Sequence, residues 1–389
     1  MPPPPTVYAD YHATAPLRPE ALEAMLPWLR SLAANPSSLH APGRAARNAV
    51  ETTRETVAGV LGVSPAEVVF TSGGTESDAL AVRGGARAAR ERDGVRTRVA
   101  FSAAEHAAVR EAGLSLAVEG FEPREVAVDA SGLPLPEELS AVLDGRSALL
   151  SLLLANNETG VVNLRLPEAA RAARDAGAVV HTDAVQAVGR IPVRPSELGV
   201  DMLSFTGHKL GGPKGAGVLW IRQGVRVVPL FAGGGQERGR RGGTEDVAAI
   251  VGLGAALAAA EAAREAEALR VGALRDAFEA GLLERVPDVR VRAGGPPGSR
   301  LPTASSVTFP GADGETLLAA LDLEGIAASS GSACSSGTPA PSRVLLACGM
   351  PVAEVRATLR FSFGWASAPR DVERLLETLP RLVERARAA

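Results

Sequence analysis

Short apolar runs alternate with longer segments of helical period along most of the chain. Residues 20–30 repeat apolar positions every three to four residues, with Pro16 and Pro19 ahead of them, and residues 44–61 form a second amphipathic stretch. Strand-like runs follow at 68–70, 99–102, 149–155, 179–182, 202–205 and 217–221, with helical patterns at 76–92, 106–117 and 167–176 between them. Short apolar strands separated by helices predict an α/β fold with a mostly parallel sheet covered on both faces. The alanine-rich stretch 251–283 predicts one long helix connecting to a smaller unit, with strands near 305–309 and 358–363 and helices at 315–323 and 371–387.

The bulk numbers narrow the class. At 389 residues the chain can bury a large core, and 46% apolar with 22% charged residues is a globular composition. A net charge of −3 gives no reason to expect nucleic acid as a partner. MPPPPT has neither a basic nor an apolar region of a signal peptide, and the longest purely apolar runs are too short to span a bilayer, so no membrane partner is expected. The two cysteines, Cys334 and Cys348, form no disulfide framework, which fits a reducing cytoplasm.

Of 41 basic residues only Lys209 and Lys214 are lysines. Where charge alone is needed the chain uses arginine. A retained lysine points to chemistry arginine cannot do, since only an amine can lose its proton and condense with a carbonyl. Codon bias that happened to leave two lysines is the plainer alternative. Lys209 follows a strand in TGHK (206–209), whereas Lys214 sits in GPKG, a turn.

Several motifs fall at the C-terminal ends of these strands, where open α/β sheets hold ligands. TSGGTE (71–76) joins a strand to a helix, with small residues and N–H groups suited to a phosphate or simply to a turn. HTDAVQ (181–186) places Asp183 as either a cap or a partner for a cationic ring nitrogen. His106 ends another strand as a stacking or proton-transfer group, or as a satisfied core histidine. The five histidines show no recognised zinc spacing, so no metal is expected. In SSGSACSSG (329–337) every residue is small, and Cys334 has no neighbour to pack against; a pliant loop with a reactive thiol is the better reading. Cys348, among apolar neighbours, reads as core.

Together and in order, residues 11–16, NPSSLH (35–40), FTSGGTES (70–77), EH (105–106), NNETG (156–160), HTDAVQ (181–186), GHK (207–209), GGPKG (211–215), GGGQERG (233–239), RGGTE (241–245) and SSGSACSSG (329–337) resemble the class V aminotransferase superfamily. Within it they resemble the cysteine desulfurases of the NifS/IscS type. The resemblance implies the aspartate-aminotransferase-like fold of pyridoxal-phosphate enzymes: residues 1–15 packing with the small domain, a large cofactor-binding domain at 16–255 with a mostly parallel seven-stranded sheet, and a smaller α/β C-terminal domain at 256–389 carrying Cys334.

It also implies roles. Lys209 would hold pyridoxal phosphate covalently and move the substrate α-proton, Asp183 would pair with the ring nitrogen, and Gln186 with the ring oxygen. His106 would stack on the ring and shuttle protons as a catalytic residue, while Gly74, Thr75, Thr206 and His208 would bind the phosphate, with Thr244 reaching it from the second subunit of a homodimer. Asn35, Asn157 and Arg360 would secure the carboxylate of L-cysteine, and Cys334 would accept its sulfur as a persulfide. Delivery to an iron–sulfur scaffold or a thiolation enzyme would follow. Selenocysteine lyase, another class V enzyme and a non-catalytic scaffold relative are the competing readings. Three positions depart from the family: His12 stands where Asn is usual, Thr206 where Ser is common, which keeps the hydroxyl donor, and Trp365 where a basic residue is common.

Overall fold

Strands such as Arg98–Ser102, Ser147–Ser151 and Met202–Thr206 are buried along their whole length, which demands a cover of helices on each face. The computed structural model describes residues 7–30, 34–292, 296, 298–330 and 340–388. Its central sheet has seven strands in the order Val68–Thr71, Gly217–Ile221, Met202–Thr206, Val179–Asp183, Ser147–Ser151, Arg98–Ser102 and Glu122–Val126. Gly217–Ile221 runs antiparallel to both its neighbours; the other pairings are parallel. Alternate side chains feed two cores: Leu203 and Phe205 join one cluster with the helix Ala41–Leu61, while Met202 joins another with Val69, Val99 and Phe101.

One strand of this sheet escaped the hydrophobic pattern. Glu122–Val126 has the sequence EPREV, with Pro123 and charged side chains facing water. It is an edge strand, where charge and proline prevent further pairing.

The helix expected at 76–92 runs from Gly74 to Asp93 but opens into a π turn at Leu80–Gly84. A Cβ on Gly84 would sit 2.6 Å from the Val228 carbonyl, whose own amide donates to Gly84 O at 3.0 Å. Only glycine permits that approach.

The long alanine-rich helix spans Val247–Arg285 without a break, capped by the Asp246 side chain on the Ala249 N–H. Its first half packs Leu253, Ala256 and Leu257 into the core beneath the large sheet. Its second half gives Val271, Leu274, Phe278 and Leu282 to a separate core. By length and mean composition this helix could cross a membrane, although no purely apolar run in it is long enough, and its apolar side chains fill protein cores instead. The second core also holds an antiparallel sheet of Thr358–Ser362, Ala304–Thr308 and Arg290–Val291, with helices Gly314–Leu323 and Pro369–Ala388. Val7–Tyr8 pairs in parallel with Ile326–Ala327 beside it, and Asp10 bridges to Ser362.

Candidate active site

Two strands of the large sheet end at the same crevice. Val179–Asp183 delivers Asp183 as its last residue, and Met202–Thr206 delivers Thr206, followed by a tight turn over Gly207–Lys209. The Ser72–Gly74 turn is drawn in from the first strand: a Cβ on Gly217 would lie 2.5 Å from the Gly73 backbone, so the two segments touch only because that position lacks a side chain. Opposite them, the buried Asn156 side chain accepts the N–H groups of Glu158 and Thr159 at 2.8 and 2.9 Å and fixes the turn that presents Asn157.

These segments enclose a cavity of about 310 Å³. Ten of the residues singled out in the sequence line it: Gly74, Thr75, His106, Asn157, Asp183, Gln186, Thr206, His208, Lys209 and Arg360. Lys214 is exposed and outside it, which separates the two lysines. Asn35 is exposed and also outside; its side chain accepts the Ser37 N–H at 2.8 Å. Thr244 is exposed and does not reach the cavity of its own chain. Cys334 lies outside the described residues. The residues flanking its segment do not. Ser329 exchanges backbone hydrogen bonds with Arg360 at 2.6 and 3.2 Å, and the Ser342 hydroxyl donates to Glu158, the neighbour of Asn157. Both ends of the cysteine-bearing segment are therefore tied to residues adjoining the cavity.

The polar groups are held with some redundancy. The Lys209 ammonium donates to the backbone carbonyls of His12 and Ala13 at 2.5 and 2.7 Å. Gln186 donates to His12 O at 3.0 Å and accepts from Arg190 at 2.7 Å, while Arg190 also donates to Lys209 O. His106 caps the helix Ala107–Ser115, its Nδ1 accepting the Ala108 N–H at 3.1 Å. The Thr206 hydroxyl donates to Ala216 O at 2.9 Å, so a phosphate there would have to take over that hydrogen. Arg360 donates through Nη1 to Asn157 O at 3.0 Å and through Nη2 to Asp10 at 2.7 Å.

Among the described residues, three buried polar atoms on the cavity walls have no hydrogen-bond partner: Asp78 Oδ1, Asn157 Oδ1 and Arg360 Nε. Buried groups of this kind normally have partners, and their clustering here marks a site shaped for a polar ligand.

The electrostatics are unusual. Burial raises the carboxyl groups of Asp78, Glu105 and Asp183 above the ordinary range, and their mutual repulsion adds to the effect on Asp78 and Glu105. Asp183 alone of the three is drawn back down by cationic neighbours, His106 and Lys209, and by the Val185 N–H donated to its Oδ1 at 2.8 Å. Burial and the nearby Lys209 charge push His208 down to about 4, leaving a neutral imidazole at neutral pH.

The sequence patterns missed Asp78, Arg190 and the structural part played by His12. Asp78 lies three residues beyond Thr75 on one helix, a spacing that brings both to one face. His12 is buried, with Nδ1 3.1 Å from Asn157 O and Nε2 2.8 Å from Thr303 Oγ1. Trp365 lies away from the cavity, its Nε1 donating to Pro16 O at 3.2 Å and Arg18 over its ring at 5.3 Å.

The sequence pattern described as "Aminotransferase class-V" matches residues 7–375. The "Cysteine desulfurase IscS" of Dictyoglomus turgidum is 42% identical over 98% of this chain and 95% of its own length. The chain belongs to the class V aminotransferases, among the cysteine desulfurases. Solved structures agree with this class V assignment. A "NIFS-LIKE PROTEIN" superimposes with a TM-score of 0.88 at 34% identity, covering 97% of this chain and 99% of its own. "SspA in complex with cysteine" gives 0.79 at 33% identity, covering 92% and 99%.

Proposed function

We propose that this class V chain is a pyridoxal-phosphate-dependent cysteine desulfurase that converts L-cysteine to L-alanine and passes the sulfur to Cys334 as a persulfide. The observation that carries the reading is the juxtaposition of an amine, Lys209, and a buried carboxyl, Asp183, in a cavity, with both ends of the Cys334 segment tied to residues in or beside it.

The residues fit the cofactor. An aromatic ring with a cationic nitrogen suits Asp183, a buried carboxyl on the cavity wall whose charged form the Val185 N–H, His106 and Lys209 favour. Gly74 and Thr206 are adjacent, a Cβ on Gly74 falling 3.8 Å from Thr206 Cβ, and with Thr75 and His208 they form a cradle for a phosphate. Bound there, pyridoxal phosphate supplies a carbonyl that condenses with the substrate amine and a ring that accepts electrons from the α-carbon.

Lys209 Nζ anchors the cofactor and then moves the α-proton. His106 Nδ1 is engaged as an acceptor, so Nε2 is the atom that exchanges protons within the cavity. Arg360 offers its guanidinium, and Asn157 its amide, to the substrate carboxylate. The Cys334 thiolate attacks the substrate sulfur; the new sulfur–sulfur bond replaces the carbon–sulfur bond, and the carbon skeleton leaves as alanine.

We further infer a division into a large domain at 16–255 and a small one at 256–389, with residues 1–15 packed on the latter. We also infer a homodimer in which Thr244 and Asn35, both exposed, serve the partner's site. Arg241 pairs with Glu76 at 2.9 Å and Arg54 with Glu237 at 2.8 Å, and these contacts staple the segment before Thr244 to the helix Ala41–Leu61 and to the first turn of the helix that begins at Gly74. A reducing cytoplasm and delivery to an iron–sulfur scaffold or a thiolation enzyme complete the reading.

Cofactor-loaded protein given L-cysteine and a thiol reductant is expected to release alanine and sulfide one for one. Alanine without sulfide, or neither product, would overturn the assignment. Arg360→Lys keeps a charge but loses the planar fork, and it should raise KM for cysteine by about 10- to 100-fold, the worth of one charged hydrogen bond, with a smaller effect on kcat. A fall in kcat at unchanged KM would place Arg360 elsewhere in the reaction.

A further inference from the structure

Beneath the cavity floor runs a line of buried polar side chains that the reaction as described does not use. Ser151 Oγ lies 2.8 Å from His181 Nδ1, and His181 Nε2 lies 2.9 Å from Ser204 Oγ. Beyond them stands the Asp78 carboxyl, whose Oδ1 is 3.7 Å from His181 Nε2. Ser151, His181 and Ser204 stand on three adjacent parallel strands, and all are fully buried. Asp78 ends the line at the cavity wall with 1% of its surface exposed. There one oxygen of Asp78, one oxygen of Asp183 and one ring nitrogen of His106 lie within 4.8 Å of one another. Atoms so arranged can share a single cation, and a protonated ring nitrogen is one.

Two anions cannot both persist at that spacing in a dry site. We propose that Asp78 is a positioning residue that keeps its proton and so leaves Asp183 as the sole anion facing the cofactor's ring nitrogen. The inference rests on the cofactor reading above for the identity of the cation, but the protonation of Asp78 stands on the protein alone. Asp183 receives the Val185 N–H and lies in the field of Lys209 and His106, all of which favour its charged form. Asp78 faces Asp183 and Glu105, which disfavour charge. The basic group nearest to it along the line, His181, is held neutral by burial, its pKa falling to about 3. Among the described residues no cation on that side balances an anion at Asp78, and only the Ser204 hydroxyl favours its charged form. A carboxylic acid has a hydroxyl to offer the neutral groups beside it, which a methyl group lacks.

The test uses Asp78→Asn, a neutral group of the same shape, beside Asp78→Ala and Asp183→Asn. In the cofactor-free full-length protein at pH 7.5, the infrared difference spectrum of wild type minus Asp78→Asn should show a protonated carboxyl band that shifts in heavy water. A carboxylate band in its place would overturn the proposal, whether or not the cofactor reading holds. Titrating the same proteins with pyridoxal phosphate, Asp78→Asn should bind within about threefold of wild type, while Asp78→Ala and Asp183→Asn should weaken binding by about tenfold or more. Equal weakening in Asp78→Asn and Asp183→Asn would mean that Asp78 carries charge, and would also overturn it. Should wild type itself fail to bind pyridoxal phosphate, the cofactor reading falls and the infrared result alone decides the protonation of Asp78.

Discussion

Replacing Lys209 with alanine is expected to abolish turnover of L-cysteine, with a loss of about 10⁴-fold, the upper end of what one positioned proton-transfer group contributes. The variant should still take up pyridoxal phosphate through the remaining contacts, but reduction with borohydride should leave no cofactor covalently attached. The reason is chemical: the Lys209 ammonium lines the cavity and is aimed by the His12 and Ala13 carbonyls, and the other lysine, Lys214, is exposed outside it. Arginine in its place would keep the charge but could neither deprotonate near neutral pH nor condense with a carbonyl. Covalent label found at Lys214 in the wild-type protein would reverse the assignment of the two lysines.

Cys334→Ala should separate the two halves of the reaction. Cofactor binding and condensation with L-cysteine should be unchanged in the absorption spectrum, while sulfide release falls by at least about 10³-fold because the sulfur has no nucleophile to receive it. The other thiol cannot substitute. Cys348 is buried, and burial pushes its pKa up to about 11, so it is a neutral packing group at neutral pH. Sulfide release at the wild-type rate from Cys334→Ala would mean that sulfur leaves without a persulfide, as an alternative such as selenocysteine lyase would allow.

The parts legible in the sequence share a physical cause. Met202–Thr206 and Ser147–Ser151 are buried on both faces, so they read as plain apolar runs, and the residues just beyond them supply the ligand-facing groups. Lysine scarcity singled out Lys209 because its chemistry has no substitute among 39 arginines. What escaped was set by position in three dimensions. Glu122–Val126 is a strand because a parallel neighbour pairs with it, not because of its own side chains. Arg190 and His12 act through hydrogen bonds to residues distant in sequence, to Lys209 O in one case and from the Lys209 ammonium in the other. Asp78 looks in sequence like an ordinary acid in the first turn of a helix, and only its burial beside Asp183 gives it a part in the site. Asn35 and Thr244 carry the reverse lesson: their motifs are clear, yet a single chain leaves them at the surface.

Sulfur labelling tests the central claim most directly. Cofactor-loaded protein mixed with one equivalent of radiolabelled L-[³⁵S]cysteine, alkylated and digested, should carry its label on the Cys334 peptide in amount equal to the alanine formed. Label on the Cys348 peptide, or alanine formed with no protein-bound sulfur, would contradict a thiol at 334 working beside the amine of Lys209.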